Sequence, residues 1–122
     1  TGPFSESAAA RASIASLYCA LMVAESLDAI ASKGAVIVDG PFSQNDVFLA
    51  VLAALRPGQV ILASEARDGT AAGAACLALM PDGTLPNIEI AMRRIDPALL
   101  PGLKAYQQAW RATAGQEPER SP

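Results

Sequence analysis

The stretch AVIVDGPFSQNDVFLAVLAALRPGQVILA, residues 35–63, decides the fold class. It opens with Ala35-Val36-Ile37-Val38, four apolar residues without alternation, the pattern of a strand buried on both faces as in a parallel sheet. Asp39-Gly40-Pro41 is a turn signal that ends the strand. From about Asn45 to Leu55 the apolar positions Phe48, Val51, Leu52 and Leu55 follow i, i+3, i+4, i+7, the helical period. Arg56-Pro57-Gly58 stops that helix, because proline cannot continue it and glycine accepts the reversal. Gln59-Val60-Ile61-Leu62-Ala63 is a second buried-strand run. Strands joined through a helix of this length run parallel, with a right-handed crossover.

Upstream, Ser7 to about Ser32 reads as one long helix. Ile14, Leu17, Tyr18 and Leu21 form its stripe, and Met22, Val23, Leu27 and Ile30 widen it. A helix apolar over so much of its circumference is expected to be largely buried, with Gly34 as its C-terminal stop. Downstream, Ser64 to Gly69 is a polar loop, and Thr70 is the expected N-cap of a third helix that runs through Leu79 and stops at Pro81-Asp82-Gly83. Leu85 to Ile95 is ambiguous; Ile88 and Ile90 alternate around Glu89 as in a short strand or an extended arm. Pro97 is expected to open a last helix with Leu99, Leu103, Tyr106 and Trp110 on one side. Residues 1–114 form the ordered part, and 115–122, with two prolines and alternating charges, read as a flexible tail.

The order is therefore helix-strand-helix-strand-helix plus a C-terminal helix, an α/β arrangement. Two parallel strands alone make a poor sheet, because parallel sheets need both faces covered and rarely stop at two strands. The pattern fits the later half of an α/β domain whose sheet is incomplete in this chain. Upstream sequence, a complementing chain or a second copy would have to supply the missing strands.

Composition narrows the function classes. The chain has 122 residues, 52% of them hydrophobic and 17% charged, with net charge −3 and no histidine. Alanine makes up about a fifth, which favours helices that pack closely. A mean hydropathy of +0.28 argues against a disordered acidic tail. The acidic balance leaves no electrostatic footprint for nucleic acid. Without histidine, a Ser/His/Asp triad, a Cys/His pair and any His-containing zinc site within the chain are excluded. The longest nearly continuous apolar stretch, Ile14 to Ala24, is interrupted by Ser16 and falls short of the roughly 20 residues of a membrane span. Thr1-Gly2-Pro3-Phe4 carries neither the basic nor the apolar region of a signal peptide, no initiator Met opens the chain, and the cytoplasm is the default location. Cys19 and Cys76 read as small buried apolar residues with free thiols.

In open α/β sheets ligands collect at the carboxyl ends of strands. Two loops leave such ends, residues 39–45 and residues 64–70. In the first, Gly40 either lets a ligand ring approach the backbone or only makes a turn. Asn45 either offers its amide to a ligand or only caps the helix, and Phe42 either stacks on a flat ring or is core. In the second, Gly69-Thr70-Ala71-Ala72-Gly73-Ala74-Ala75 suits either an anion at a helix start or tight helix packing. No phosphate-binding glycine motif is present. Asp28, Asp46, Asp68, Asp82 and Asp96 are scattered, so no residue stands out as a catalytic base or a metal ligand. Arg93-Arg94 reads as a solvated pair, and Tyr106 and Trp110 as packing residues.

The run 38–45 (VDGPFSQN), then Leu49 to Leu55, Gly58 to Val60, and the Gly69-Thr70-Ala71-Ala72-Gly73-Ala74-Ala75-Cys76-Leu77-Ala78 helix together resemble the end of FGGY-family carbohydrate kinases. The final helix, Leu99 to Trp110, is also similar, and the likeness covers nearly all of Arg11 to Ala112. The resemblance implies a ribonuclease-H-like or actin-like ATPase fold, of which this chain is the later half of the second domain. It implies ATP and Mg2+ as cofactors, a sugar or polyol as substrate, and phosphoryl transfer to a hydroxyl group. By the same resemblance Gly40, Pro41 and Asn45 fall at adenosine-contact positions, with Phe42 beside them. One departure is plain: the family commonly has Gly-Gly where this chain has Gly40-Pro41, and Pro41 has no N–H to offer a nucleotide. The family's phosphate loops and catalytic aspartate have no match here, so the isolated chain is expected to be inactive. The alternative is a non-catalytic α/β assembly or ligand-binding module completed by a partner chain.

Overall fold

The computed structural model describes residues 7–65, 69–78, 80, 83 and 90–114. The first helix, α1 (Ala8–Ala29), is capped by Ser7, whose hydroxyl oxygen accepts the Ala10 N–H at 3.0 Å. Strand β1 (Val36–Val38) follows, then a short 3₁₀ turn (Pro41–Gln44) and helix α2 (Asp46–Leu55). After them come β2 (Ile61–Ser64), α3 (Gly69–Ala78), β3 (Met92–Arg94) and α4 (Leu103–Ala114). The sheet has the order β1-β2-β3 among the described residues. β1 and β2 are parallel, as the 35–63 pattern requires, with Ile37 beside Leu62. β3 runs antiparallel to β2, with Arg93 beside Ala63 and Arg94 beside Leu62.

The core gathers around α2. Phe48, Leu49, Val51, Leu52 and Ala53 are all buried, and they cluster with Ala20 and Ala24 of α1, Ile61 and Ala63 of β2, and Ile95. Burial round so much of a helix is what a segment packed against both a second helix and a sheet requires. Small residues on α1 let it lie close: Ser16, Ala20 and Ala24 face inward together with Leu21. Charges then tie the ends of these elements together. Asp28 pairs with Arg56 at the end of α2 and accepts from Arg111 of α4 at 3.0 Å, while Arg111 also reaches Glu25. Gln59 donates to the Gly34 carbonyl at 2.7 Å and closes the β1–α2 unit at its base.

Several expectations are corrected. α1 is not largely buried: Tyr18 is 53% exposed and Ile30 73%, because the inward face is built from Ser16, Ala20, Leu21 and Ala24, and of the Ile14–Leu21 stripe only Leu21 is fully buried. At 22 residues α1 is also long and apolar enough to cross a membrane by length and composition, contrary to the reading from Ile14–Ala24. Its Ser16, Glu25 and Asp28 are nonetheless engaged with protein partners, the chemistry of a packed helix. β1 is covered on one face only among the described residues. Val36 and Val38 turn to the core, and Ile37 is 53% exposed on the face it shares with Leu62 and Arg94. The second strand begins at Ile61 rather than Gln59.

The last helix starts at Leu103, not at Pro97. A helix begun at Pro97 would place Pro101 inside it, where the ring clashes and the N–H is missing, and Gly102 sits at φ +82°. Leu99 is consequently off the helix and 95% exposed. Trp110 packs edge-on against Tyr18, ring centroids 6.3 Å apart, as the packing reading expected. α3 begins one residue before its expected cap, so Thr70 lies inside the helix. The expected helix end at Leu79, the Pro81-Asp82 stop, residues 84–89 of the ambiguous stretch and the 115–122 tail lie outside the described residues.

α1 also ends earlier than Gly34. The Ser32 N–H donates to the Leu27 carbonyl and the Ala31 N–H to the Asp28 carbonyl, the paired bonds of a Schellman motif. The residue in the left-handed position is Ala31, at φ +54°. A side chain there costs what glycine avoids. Ala31→Gly should therefore raise the unfolding free energy by about 0.5–1 kcal/mol in denaturant titrations. An unchanged or lower stability would contradict this reading of the helix end.

Candidate functional site

The turn between β1 and α2 is built from backbone geometry upward. β1 ends at Val38, and Gly40 adopts φ +76°, ψ −159°, a region open essentially to glycine alone. A Cβ placed on Gly40 meets nothing within 4 Å, so conformation rather than crowding calls for glycine there. Pro41 takes the first position of the 3₁₀ turn, where a missing N–H costs no intrahelical bond. The Gly40 carbonyl accepts the Ser43 N–H at 3.0 Å and the Ser43 hydroxyl at 2.7 Å. Ser43 is itself buried, so the turn is closed by a shielded pair of hydrogen bonds.

Asn45 caps the helix and also ties it to α1. Its Oδ1 accepts the Phe48 N–H at 3.0 Å, capping α2, and its Nδ2 donates to the hydroxyl of buried Ser16 on α1 at 3.0 Å. Its own N–H donates to the Phe42 carbonyl at 3.1 Å. Phe42 is neither fully core nor free. One part of the ring tilts against Phe48, centroids 4.8 Å apart at 58°, and the side chain is 45% exposed. Pro41, Phe42 and Asn45 line a shallow hollow of about 200 Å³. The four residues singled out in sequence thus fall in one turn at the carboxyl end of β1.

Two contributors were not singled out. Ser43 follows Gly40 at the spacing of a hydroxyl that back-bonds a turn, a signal that is readable in sequence. Ser16 lies 29 positions before Asn45, and no local pattern reveals that pairing. Arg93, read as solvated, lies on the α2 face of the sheet. Its guanidinium is 3.4 Å from Asp46 and 3.5 Å from the Ser43 carbonyl, so it braces the far side of the turn. Cys19 and Cys76 are half-buried, and neither forms a disulfide among the described residues. Among the described residues no three His, Cys, Asp or Glu side chains stand together as a cation site. The polar loop 66–68 lies outside the described residues, and so do the side chains of residues 69–72.

Because only the backbone conformation demands glycine, Gly40→Ala should lower unfolding free energy by about 1–3 kcal/mol. Gly34→Ala, equally uncrowded and without a positive φ, should stay within about 0.5 kcal/mol. Equal costs at the two positions would remove the strain argument.

Comparison with known proteins agrees with the geometry. The sequence profile of the carbohydrate kinase FGGY C-terminal domain matches residues 2–86. The crystal structure of a carbohydrate kinase from Novosphingobium aromaticivorans is similar at 35% identity and a TM-score of 0.63, over 81% of this chain. The chain spans 20% of the length of that kinase. No curated protein sequence matches. With a parallel β1–α2–β2 unit, an incomplete three-stranded sheet and a family match over most of its residues, this chain belongs to the FGGY carbohydrate kinase C-terminal domain family.

Proposed function

We propose that residues 1–114 are the nucleotide-side part of the second domain of an ATP-dependent carbohydrate kinase, and that the 40–45 turn borders the adenosine of bound ATP. The observation that carries this reading is the turn. A glycine-only backbone conformation sits at the carboxyl end of a parallel strand, beside a hollow lined by Pro41, Phe42 and Asn45. Gly40 keeps the backbone bare for a ligand, Pro41 and Phe42 offer carbon faces, and Asn45 holds the turn in register with α1. Neutral carbon surface of this kind fits a nucleoside rather than a triphosphate or Mg2+.

The phosphates, Mg2+ and the sugar or polyol are then held by parts of the kinase beyond this chain, with residues 115–122 a tail outside the domain. Mg2+, when bound, neutralises charge on the transferring phosphate. In-line transfer needs base, metal and nucleotide held together, so this chain alone transfers no phosphate. The sheet face at Ile37, half-exposed among the described residues, and the outward stripe of α1 are surfaces for the rest of such a kinase, a second copy or a complementing chain to cover. The working location is the cytoplasm, where ATP and phosphorylated sugars are handled.

Photolabelling tests the site. With 8-azido-ATP on the protein expressed at the full length of its open reading frame, label should fall on the peptide containing residues 40–45, and excess ATP should suppress it. Label confined to other peptides would contradict the assignment. In a companion assay with Mg·ATP and a panel of sugars and polyols, the full-length protein should turn over one of them and the isolated 122-residue chain none. Turnover by the isolated chain would overturn the division of labour.

A further inference from the structure

We propose that a second copy of this chain docks in the groove between the end of α2 and the start of α4, each copy laying its 96–101 segment across the other's groove about a two-fold axis. The groove, of about 440 Å³, is walled by Leu55 and Pro57 on one side and by Leu100, Leu103, Lys104 and Gln107 on the other. It lies at the opposite end of α2 from the 40–45 turn, and its second wall falls outside residues 2–86, the part matched by the family profile. The inference therefore does not rest on the adenosine reading.

The groove leaves particular groups unsatisfied. Gln107 is only 8% exposed, and among the described residues its amide bonds to nothing; what solvent it meets is in the groove that it lines. Such an amide offers one donor and one acceptor side, the complement of a peptide group. Leu99 stands at the rim, 95% exposed, and its own N–H and carbonyl form no hydrogen bond among the described residues. Asp96 and Lys104 are exposed, and neither is ion-paired among the described residues. The patch thus carries both halves of its own complement: an apolar projection and an apolar hole, a free peptide group and a free amide, an anion and a cation. A two-fold axis satisfies all three at once, which is what an isologous interface requires.

The projecting segment is fixed before any partner arrives. Pro97 and Pro101 bracket it with set φ angles. The Ala98 N–H donates to the Ala50 carbonyl of α2 at 3.0 Å, and the Leu103 N–H to the Leu100 carbonyl at 3.2 Å. Little backbone freedom is left to lose on docking.

Sedimentation equilibrium of the full-length protein tests this, as wild type, Leu99→Asp, Asp96→Lys, Lys104→Asp and the Asp96→Lys/Lys104→Asp double variant. Wild type should dimerise reversibly. Leu99→Asp should weaken the dimer at least about tenfold, with far-UV circular dichroism unchanged because the side chain is 95% exposed. Each single charge reversal should weaken it about fivefold, and the double variant should return to within about twofold of wild type. The charge series stands independently of how Leu99→Asp folds. A wild-type protein that stays monomeric at about 100 μM, its groove covered by the rest of the polypeptide, would overturn the proposal. So would a dimer that Leu99→Asp leaves intact, or a double variant as weak as its singles.

Discussion

The side chain of Asn45 is the constraint on which the arrangement depends. Its oxygen satisfies an orphan N–H at the start of α2, and its nitrogen reaches Ser16 on α1. A cap of this type contributes about 1 kcal/mol, and a shielded hydrogen bond adds a similar amount. The geometric consequence is larger than the energy. One amide fixes where α2 begins, how far along α1 it lies and where the preceding turn is held. Gly40 and Ser43 then close that turn from the strand side, and Arg93 braces it from β3. The functional reading thus depends on two hydrogen bonds and one unusual glycine conformation.

The second theme is incompleteness. Ile37 and Leu62 share a sheet face on which Ile37 stays half-exposed, and Tyr18, Met22 and Ile14 point away from the core. The chain corresponds to a fifth of the length of the similar kinase. Among the described residues the layer has one covered face, as a piece of a larger domain would, and the hydrophobic effect gives the half-exposed Ile37 face a reason to be covered. The ion pairs of Asp28 with Arg56 and Arg111 are not a substitute, since they hold helix ends together at a partly exposed surface where such pairs contribute little.

Much of this was legible in residues 35–63. Short β-branched runs on either side of a helical period fix a parallel β–α–β unit, and an Asn ahead of Asp46-Val47-Phe48 marks the helix start. What periodicity could not show was which side of an apolar helix turns inward. On α1 the inward face joins the small residues Ser16, Ala20 and Ala24, which allow close approach to α2, with the one large residue Leu21, while Ile14, Tyr18 and Met22 stay outside. Glycine and proline punctuation misled twice. Ala31, not Gly34, takes the left-handed residue at the end of α1, and Pro97 yields to Pro101-Gly102 as the boundary of α4. The Ser16–Asn45 bond is a tertiary contact across 29 positions, invisible to any local rule. Within the candidate site, the cap position of Asn45 was legible and its second commitment was not: the bond to Ser16 shows only once the two helices are packed.

The most direct measurement is a crystal structure of the full-length protein with a non-hydrolysable ATP analogue. An adenine ring stacked within about 4 Å of Phe42, beside Pro41 and with the Asn45–Ser16 bond intact, is the expected result. A nucleotide bound elsewhere, with the 40–45 turn buried under other parts of the protein, would contradict it.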